Sequence, residues 1–227
     1  MNHSPPKVSL RREEVLLRLN QSLCEKNLVE IASKLEVPIW YGKKKNKGWV
    51  GQTIEKVAGM TPNSSPQRDG EDFELKTTEL IFKRGYLAPK ETLKITQLNP
   101  ENVVEQNFEH SQLWQKLERL ILVGYVCQGP DRVVAQKILS VTLTHTPWMK
   151  DVQQFWEDVQ NLLCSGEMKS AINLGSSSDL IQLRPLGDGK QMSRCPITGE
   201  FFPSRAFYAT KKFINLLMNE VAVEASQ

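Results

Sequence analysis

The chain is short of several things that would announce a function. Its 227 residues hold four cysteines, at 24, 127, 164 and 195, and no two form a Cys-x-x-Cys pair. Zinc ribbons and dithiol redox motifs are thereby disfavoured. Such sparse thiols, with no signal peptide in view, fit a reducing cytoplasm. No apolar run approaches the roughly 18 residues that a membrane span requires, and no internal repeat is visible. Charge of one sign is scarce too: 29 Lys and Arg against 26 Asp and Glu leave only +3. That balance does not mark a nucleic-acid binder, so any such role depends on local clustering. The remaining composition, 40% hydrophobic and 24% charged, is that of an ordinary soluble globule with a full core. Its length suits a single domain over 1–227, or one domain in two lobes.

The most informative stretch is Asp69-Gly-Glu-Asp-Phe-Glu-Leu-Lys76. Phe73, Leu75 and the threonines after Lys76 predict a strand beginning near Phe73. Alternation along it would send Phe73 and Leu75 into a core and leave Glu74 and Lys76 on the other face. Asp69 lies just upstream, in a turn signalled by Pro66 and Gly70. Two converging carboxylates repel unless a cation separates them. An all-oxygen set of this kind suits Mg²⁺, which keeps several waters and accepts a phosphate oxygen. With a lysine alongside, the pattern points to metal-assisted phosphodiester hydrolysis. The competing reading is a surface strand end with a Glu/Lys ion pair.

Residues 1–8 read as a loose tail. Leu16, Leu19 and Leu23 recur at helical spacing behind a candidate N-cap at Ser9, and Leu28, Ile31, Ala32 and Leu35 repeat the pattern up to Pro38. Next, Lys43, Lys44, Lys45 and Lys47 crowd a glycine-bounded loop, either a phosphate-binding patch or a solvated charge run. A helix with Val50, Ile54, Val57 and Ala58 on one face carries Glu55 at its border, a third candidate acid, and Gly59 would end it. Residues 60–68 read as a turn-rich crossing. Beyond the acidic strand come a turn at Lys83-Arg84-Gly85, a strand over 92–96, a polar loop over 100–111, and a helix from Ser111 to Arg119 carrying Lys116. Strands follow over 120–126 and 138–143. Trp148 to Leu163 is the clearest helix, with a wide apolar stripe. A last central strand over 180–183 runs into Arg184-Pro185. Residues 186–205 read as one long loop, the kind that is usually functional in a compact domain. Phe207, Tyr208, Lys211 and Lys212 then open a final helix, with Tyr208 placed to read a base edge.

Taken in order, these segments resemble the MutH family of DNA mismatch-repair endonucleases and its restriction-enzyme relatives, over nearly the whole chain. Lys47-Gly-Trp-Val-Gly51 ahead of Glu55 is similar to the family's helix with an accessory glutamate. Asp69, Glu74 and Lys76 resemble its acid/Glu-x-Lys catalytic set. Lys116 falls in a Lys-Leu-x-Arg helix like the one bearing a DNA-facing lysine. Phe155-Trp-Glu157 resembles an Asp-Trp-Glu helix. Leu183-Arg184-Pro185 resembles the strand into a base-reading loop, and Phe207-Tyr208 with Lys211-Lys212 resembles the segment that senses adenine methylation.

The resemblance implies an α/β (α+β) fold of the restriction-endonuclease-like kind: a mixed central sheet flanked by helices, in two lobes around a DNA-binding cleft. It implies a cytoplasmic monomer that nicks the unmethylated strand of double-stranded DNA at hemimethylated GATC, with Mg²⁺ as cofactor and a MutL-like protein as activating partner. Asp69, Glu74 and the carbonyl of Leu75 would hold the metal, with Lys76, Glu55 and Lys116 completing the catalytic set. The implied DNA contacts are Lys43, Lys44, Lys45, Lys47, Arg184, Lys190, Tyr208 and Lys211. Two departures stand out. Asp69 and Glu74 are two residues closer than is usual among the repair enzymes, a spacing that some restriction relatives share. Leu186 also stands where the repair enzymes carry a base-contacting lysine, a role that Lys190 would have to fill. A free-standing type II restriction endonuclease is therefore the first alternative. A non-catalytic DNA-binding module is the second.

Overall fold

The computed structural model describes residues 10–61, 68–169 and 174–219. The expected tail, the Ser9 cap, Pro66 and most of the crossing before the acidic strand lie outside them. In chain order the elements are α1 (Arg12–Leu23), α2 (Leu28–Lys34), β1 (Trp40–Tyr41), β2 (Lys44–Lys45), α3 (Trp49–Val57), β3 (Glu74–Lys83), β4 (Tyr86–Pro89), β5 (Leu93–Gln97), α4 (Pro100–Glu105), α5 (Gln112–Leu117), β6 (Arg119–Cys127), β7 (Val133–Thr142), α6 (Pro147–Ser165), β8 (Ile181–Pro185), β9 (Met192–Arg194), β10 (Phe201–Pro203), β11 (Arg205–Ala209) and α7 (Lys211–Asn219). The fold is mixed α/β. One sheet has the order β4-β3-β6-β7 and another β5-β11-β8, and two short ribbons pair β1 with β2 and β9 with β10. Among the described residues no helix is long and apolar enough to cross a membrane, and no cysteines are disulfide-linked.

The chain divides into two compact units, Met1–Thr77 with Ile121–Ser140, and Thr78–Leu120 with Val141–Gln227. The first buries Val15, Leu19 and Leu23 of α1, Leu28 and Ala32 of α2, and Val50 and Ile54 of α3. These pack with Phe73, Leu75, Ile121, Val123 and Val133 in one cluster. Burial of each such side chain is worth roughly 1.5–3 kcal/mol, so this core fixes the start of β3 firmly. Helix α1 begins after Arg11, which is extended and makes no side-chain cap. The lysine loop is not irregular: Trp40 pairs with Lys45 and Tyr41 with Lys44 in a small antiparallel hairpin.

In the second unit, β3 turns into β4 through Arg84-Gly85, both at positive φ (52° and 86°). That is the geometry of a two-residue type I′ turn, whose twist matches the flanking strands. The polar segment 100–111 is mostly helical rather than loop. Asn99 accepts hydrogen bonds from the amides of Glu101 and Asn102, Pro100 opens α4, and a 3₁₀ turn spans Phe108–His110. The amide of Gln160 donates to the carbonyls of Val103 and Gln106, satisfying groups that the short α4 leaves unpaired. Helix α5 stops at Leu117, because Arg119 already belongs to β6.

Helix α6 ends on Gly166 in the left-handed region and packs its stripe as expected. Phe155 meets Phe207 edge-on at 6.2 Å, and Trp156 lies 6.3 Å from Phe108. Three expectations for the C-terminal part are corrected. Strand β8 is an edge, not a central strand, because β11 lies between it and β5. The long loop 186–205 contains the β9–β10 hairpin. Phe207 and Tyr208 sit on β11, and the final helix starts only at Lys211, after Thr210 accepts a hydrogen bond from the Phe213 amide.

Candidate active site

The candidate acids and Lys76 all lie in the first unit. Asp69 is folded back onto the strand that it precedes: its Oδ2 accepts the Leu75 N–H at 3.0 Å. The turn is closed by the Gly70 N–H, which donates to the Phe73 carbonyl at 3.0 Å. A Cβ on Gly70 would stand 2.0 Å from the Phe73 ring, so only glycine fits between the acid and the core. Phe73 and Leu75 are buried in the hydrophobic cluster, as the alternation predicts. Glu74 is 1% exposed, and its Oε1 accepts from the Lys76 ammonium at 2.5 Å. A carboxylate that deeply buried is tolerable only with such a partner.

Helix α3 brings up the third acid. It passes close to β3 at Gly51, where a Cβ would stand 3.7 Å from the Thr77 hydroxyl. One turn further on, half-buried Glu55 has its pKa raised to about 6. Desolvation is the largest cause, the charge of Asp69 raises it further, Lys76 opposes, and Glu74 adds a smaller upward push. Glu55, Asp69, Glu74 and Lys76 thus share one electrostatic environment.

Among the described residues no three His, Cys, Asp or Glu side chains stand close enough to cage a cation by themselves. Mg²⁺ needs no such cage, since one or two carboxylates with waters and a substrate phosphate suffice. The donor set is all oxygen, burial first and the charge of Asp69 second raise the pKa of Glu55, and a lysine stands beside Glu74. These residues fit a small divalent cation.

The other expected positions separate by unit. Lys43, Lys44, Lys45 and Lys47 are exposed on and beside the β1–β2 hairpin. In the second unit, Lys116 is only 6% exposed on α5. Arg184 is exposed on β8, donates to the Thr92 hydroxyl at 3.1 Å, and lies 5.4 Å over the ring of half-buried Tyr208. Register explains the stacking: Arg184 pairs with Ala206 and Gln182 with Tyr208, so the two side chains are diagonal neighbours on one sheet face. Lys190 is exposed and ion-paired with Asp188 at 2.8 Å. Lys211 is exposed at the first turn of α7. Sequence reasoning missed Gly70 as the packing partner of Phe73. A glycine directly after the first acid was the available signal. It also missed Asn46, whose side chain donates to the Pro38 carbonyl and to Gln52 Oε1 and accepts the Gly48 N–H, tying the hairpin to α3.

Residues 58–158 match the family model described as the DNA mismatch repair enzyme MutH. Curated relatives match much further. A "DNA mismatch repair protein MutH" from Shewanella oneidensis is 27% identical over 220 residues, covering 92% of this chain and 94% of that protein. One of the same name from Pectobacterium atrosepticum is 26% identical, covering 91% and 90%. Among solved structures, "Restriction endonuclease MvaI-cognate DNA substrate complex" aligns over 92% of this chain and 97% of that one. Its TM-score is 0.38 with 12% identity, a likeness too loose to bear on fold or function. The family-model match over residues 58–158 and the near full-length likeness to the curated relatives agree with the acid/Glu-x-Lys site, and the chain is similar to the MutH family of DNA mismatch-repair enzymes.

Proposed function

We propose that this chain is a Mg²⁺-dependent endonuclease of methyl-directed mismatch repair, which nicks the unmethylated strand of double-stranded DNA at hemimethylated GATC. The observation that carries this reading is the corner formed by Asp69, Glu74, Lys76 and Glu55, where three acids and a lysine act on one another's charge. Asp69 and Glu74, with the Leu75 carbonyl, would hold Mg²⁺. When bound, the ion supplies Lewis acidity toward a phosphate oxygen and a water. Lys76, fixed by its bond to Glu74, orients the attacking water and offsets charge that builds on the phosphate in the transition state. Glu55 supports the pair from α3. Lys43, Lys44, Lys45, Lys47 and Lys211 hold the phosphate backbone, and Arg184, Lys190 and Tyr208 face the bases. Lys116 is a further candidate for the catalytic set. The enzyme acts as a cytoplasmic monomer, switched on by a MutL-like protein.

The test is purified protein on plasmid DNA with Mg²⁺, with the sites unmethylated, hemimethylated or fully methylated. Slow nicking of the hemimethylated form, accelerated by a MutL-like protein, is the expected result. The absence of cleavage under any divalent metal overturns the reading. The short Asp69–Glu74 spacing favours one second reading, a free-standing restriction endonuclease. Fast linearisation without a partner protein is its signature.

A further inference from the structure

The β1–β2 hairpin carries more than lysines. Trp40 and Tyr41 are 58% and 59% exposed, far more than a globular surface ordinarily leaves such rings. Its two-residue turn has Gly42 at φ +58° in the first position, as a type II′ turn requires. The register places Trp40 opposite Lys45 and Tyr41 opposite Lys44. Cross-strand partners share a face, so each face of the hairpin presents one ring beside one ammonium. On the first face Lys45 Nζ lies 5.9 Å from the Trp40 ring centroid. From Pro38 to Val50 there are four lysines and no acid. The base of the hairpin is not loose: the Asn46 amide donates to the Ile39 carbonyl at 2.9 Å, and its side chain spans from Pro38 to Gln52 on α3. The same helix carries Glu55.

From this geometry we infer that the hairpin is a DNA-contacting finger whose rings, Trp40 and Tyr41, lie against backbone sugars while Lys44 and Lys45 hold phosphates. The inference rests on the endonuclease reading above and adds contacts that the lysines alone do not provide. Rings exposed in this way cost solubility unless a surface of alternating phosphate and flat apolar faces covers them. The backbone of a duplex offers that alternation as phosphates beside deoxyribose faces, and contacts to it carry no sequence information directly. Being tied to α3, the finger would register the duplex against the acidic corner and so act on position as well as affinity.

The experiment is a binding titration of a labelled hemimethylated GATC duplex, in metal-free buffer, over a range of salt. Trp40→Ala and Tyr41→Ala each weaken binding about tenfold, the scale of covering one exposed ring, with the salt slope unchanged. Lys44→Ala and Lys45→Ala each lower the slope by about 0.9, one phosphate contact apiece. Iodide quenching gives an independent readout. Trp40 is exposed, Trp148 half-buried, and Trp49, Trp114 and Trp156 buried, so DNA should shield the quenchable emission and Trp40→Phe should remove its largest part. Thermal melts check that every variant folds, which the exposure of both rings favours. Unchanged affinity in the ring variants beside a wild type that binds normally overturns this inference alone. Ring variants that bind DNA normally but lose acceleration by a MutL-like protein also overturn it, by assigning the finger to a protein partner. A wild-type chain with no affinity for duplex overturns both readings.

Discussion

The acidic corner of the first unit and the Arg184–Tyr208 face of the second are built in opposite ways. In the corner, charge is buried and fixed by neighbours in sequence: Glu74 is 1% exposed, and its lysine partner stands two residues on. On the face, charge is exposed and fixed by strand pairing: Arg184 meets Tyr208 only because β8 and β11 lie in one register. Burial makes a charge expensive to disturb, and exposure makes it adjustable. Chemistry that needs one geometry suits the first arrangement.

The comparison breaks most severely at Lys76. Lys76→Ala should reduce nicking by at least about 10²–10³-fold, the scale seen when one preorganised donor is removed. It should also cost about 3 kcal/mol in a denaturant titration, because Glu74 is left buried without its ammonium. Glu74→Ala should abolish nicking as fully, and both variants should bind DNA much as before. Retained nicking in both would reject the assignment. Gly70→Ala comes next. The added methyl would sit 2.0 Å from the Phe73 ring, a core-overpacking penalty of roughly 1–3 kcal/mol. Displacement of Asp69 should lower the nicking rate more than the melting temperature, and a rate that falls only in step with stability would show that the acid is not positioned by this turn.

Effects on the exposed face should be milder and of another kind. Arg184→Ala loses a cation–π contact worth about 0.5–1 kcal/mol and, on the proposed reading, a base contact of roughly 1–3 kcal/mol. Affinity should fall while the rate at saturating DNA persists; loss of rate with affinity intact would place Arg184 in the chemistry instead. The smallest effect is at Glu55. Its carboxyl binds a proton more tightly in the folded state, at about pH 6 rather than near 4.5. Between those values the folded state holds more protons, so in metal-free buffer stability should decline as pH rises through the window. Glu55→Gln should remove that decline, a difference on the order of 1 kcal/mol after discounting for its half-exposed position. Parallel melting curves for the two proteins from pH 4.5 to 6.5 would show the shift to be absent.

The same contrast explains what the sequence disclosed. The corner was legible because its information is local: period-two alternation sorted Phe73 and Leu75 from Glu74 and Lys76, and the core kept that sorting. Arg84-Gly85 was legible as a turn because two consecutive positive-φ residues favour glycine there. The face was not legible. Tyr208 was read into a helix because the basic and apolar residues from Lys211 onward continue a helical pattern backwards. Pairing with Gln182 on one side and Lys94 on the other, both distant in sequence, holds it extended. Segment 100–111 was read as a loop from its polarity, although Asn99-Pro100 is an N-cap followed by the residue best suited to the first helical position. The two hairpins at 40–45 and 192–203 escaped notice because each strand is only two or three residues long, too short to show a period.

The unit that holds the acids is assembled from two separated lengths of chain, since Ile121, Val123 and Val133 complete the core around Phe73 and Leu75. During synthesis, therefore, everything named as catalytic in that unit is made well before the residues that lock it in place. Closing so long an excursion carries an entropic toll, and topologies that depend on distant pairings fold slowly. A nascent or truncated chain ending before residue 121 should lack an ordered carboxylate corner, so competence to cut would arrive late in translation, only when the returning strands have emerged.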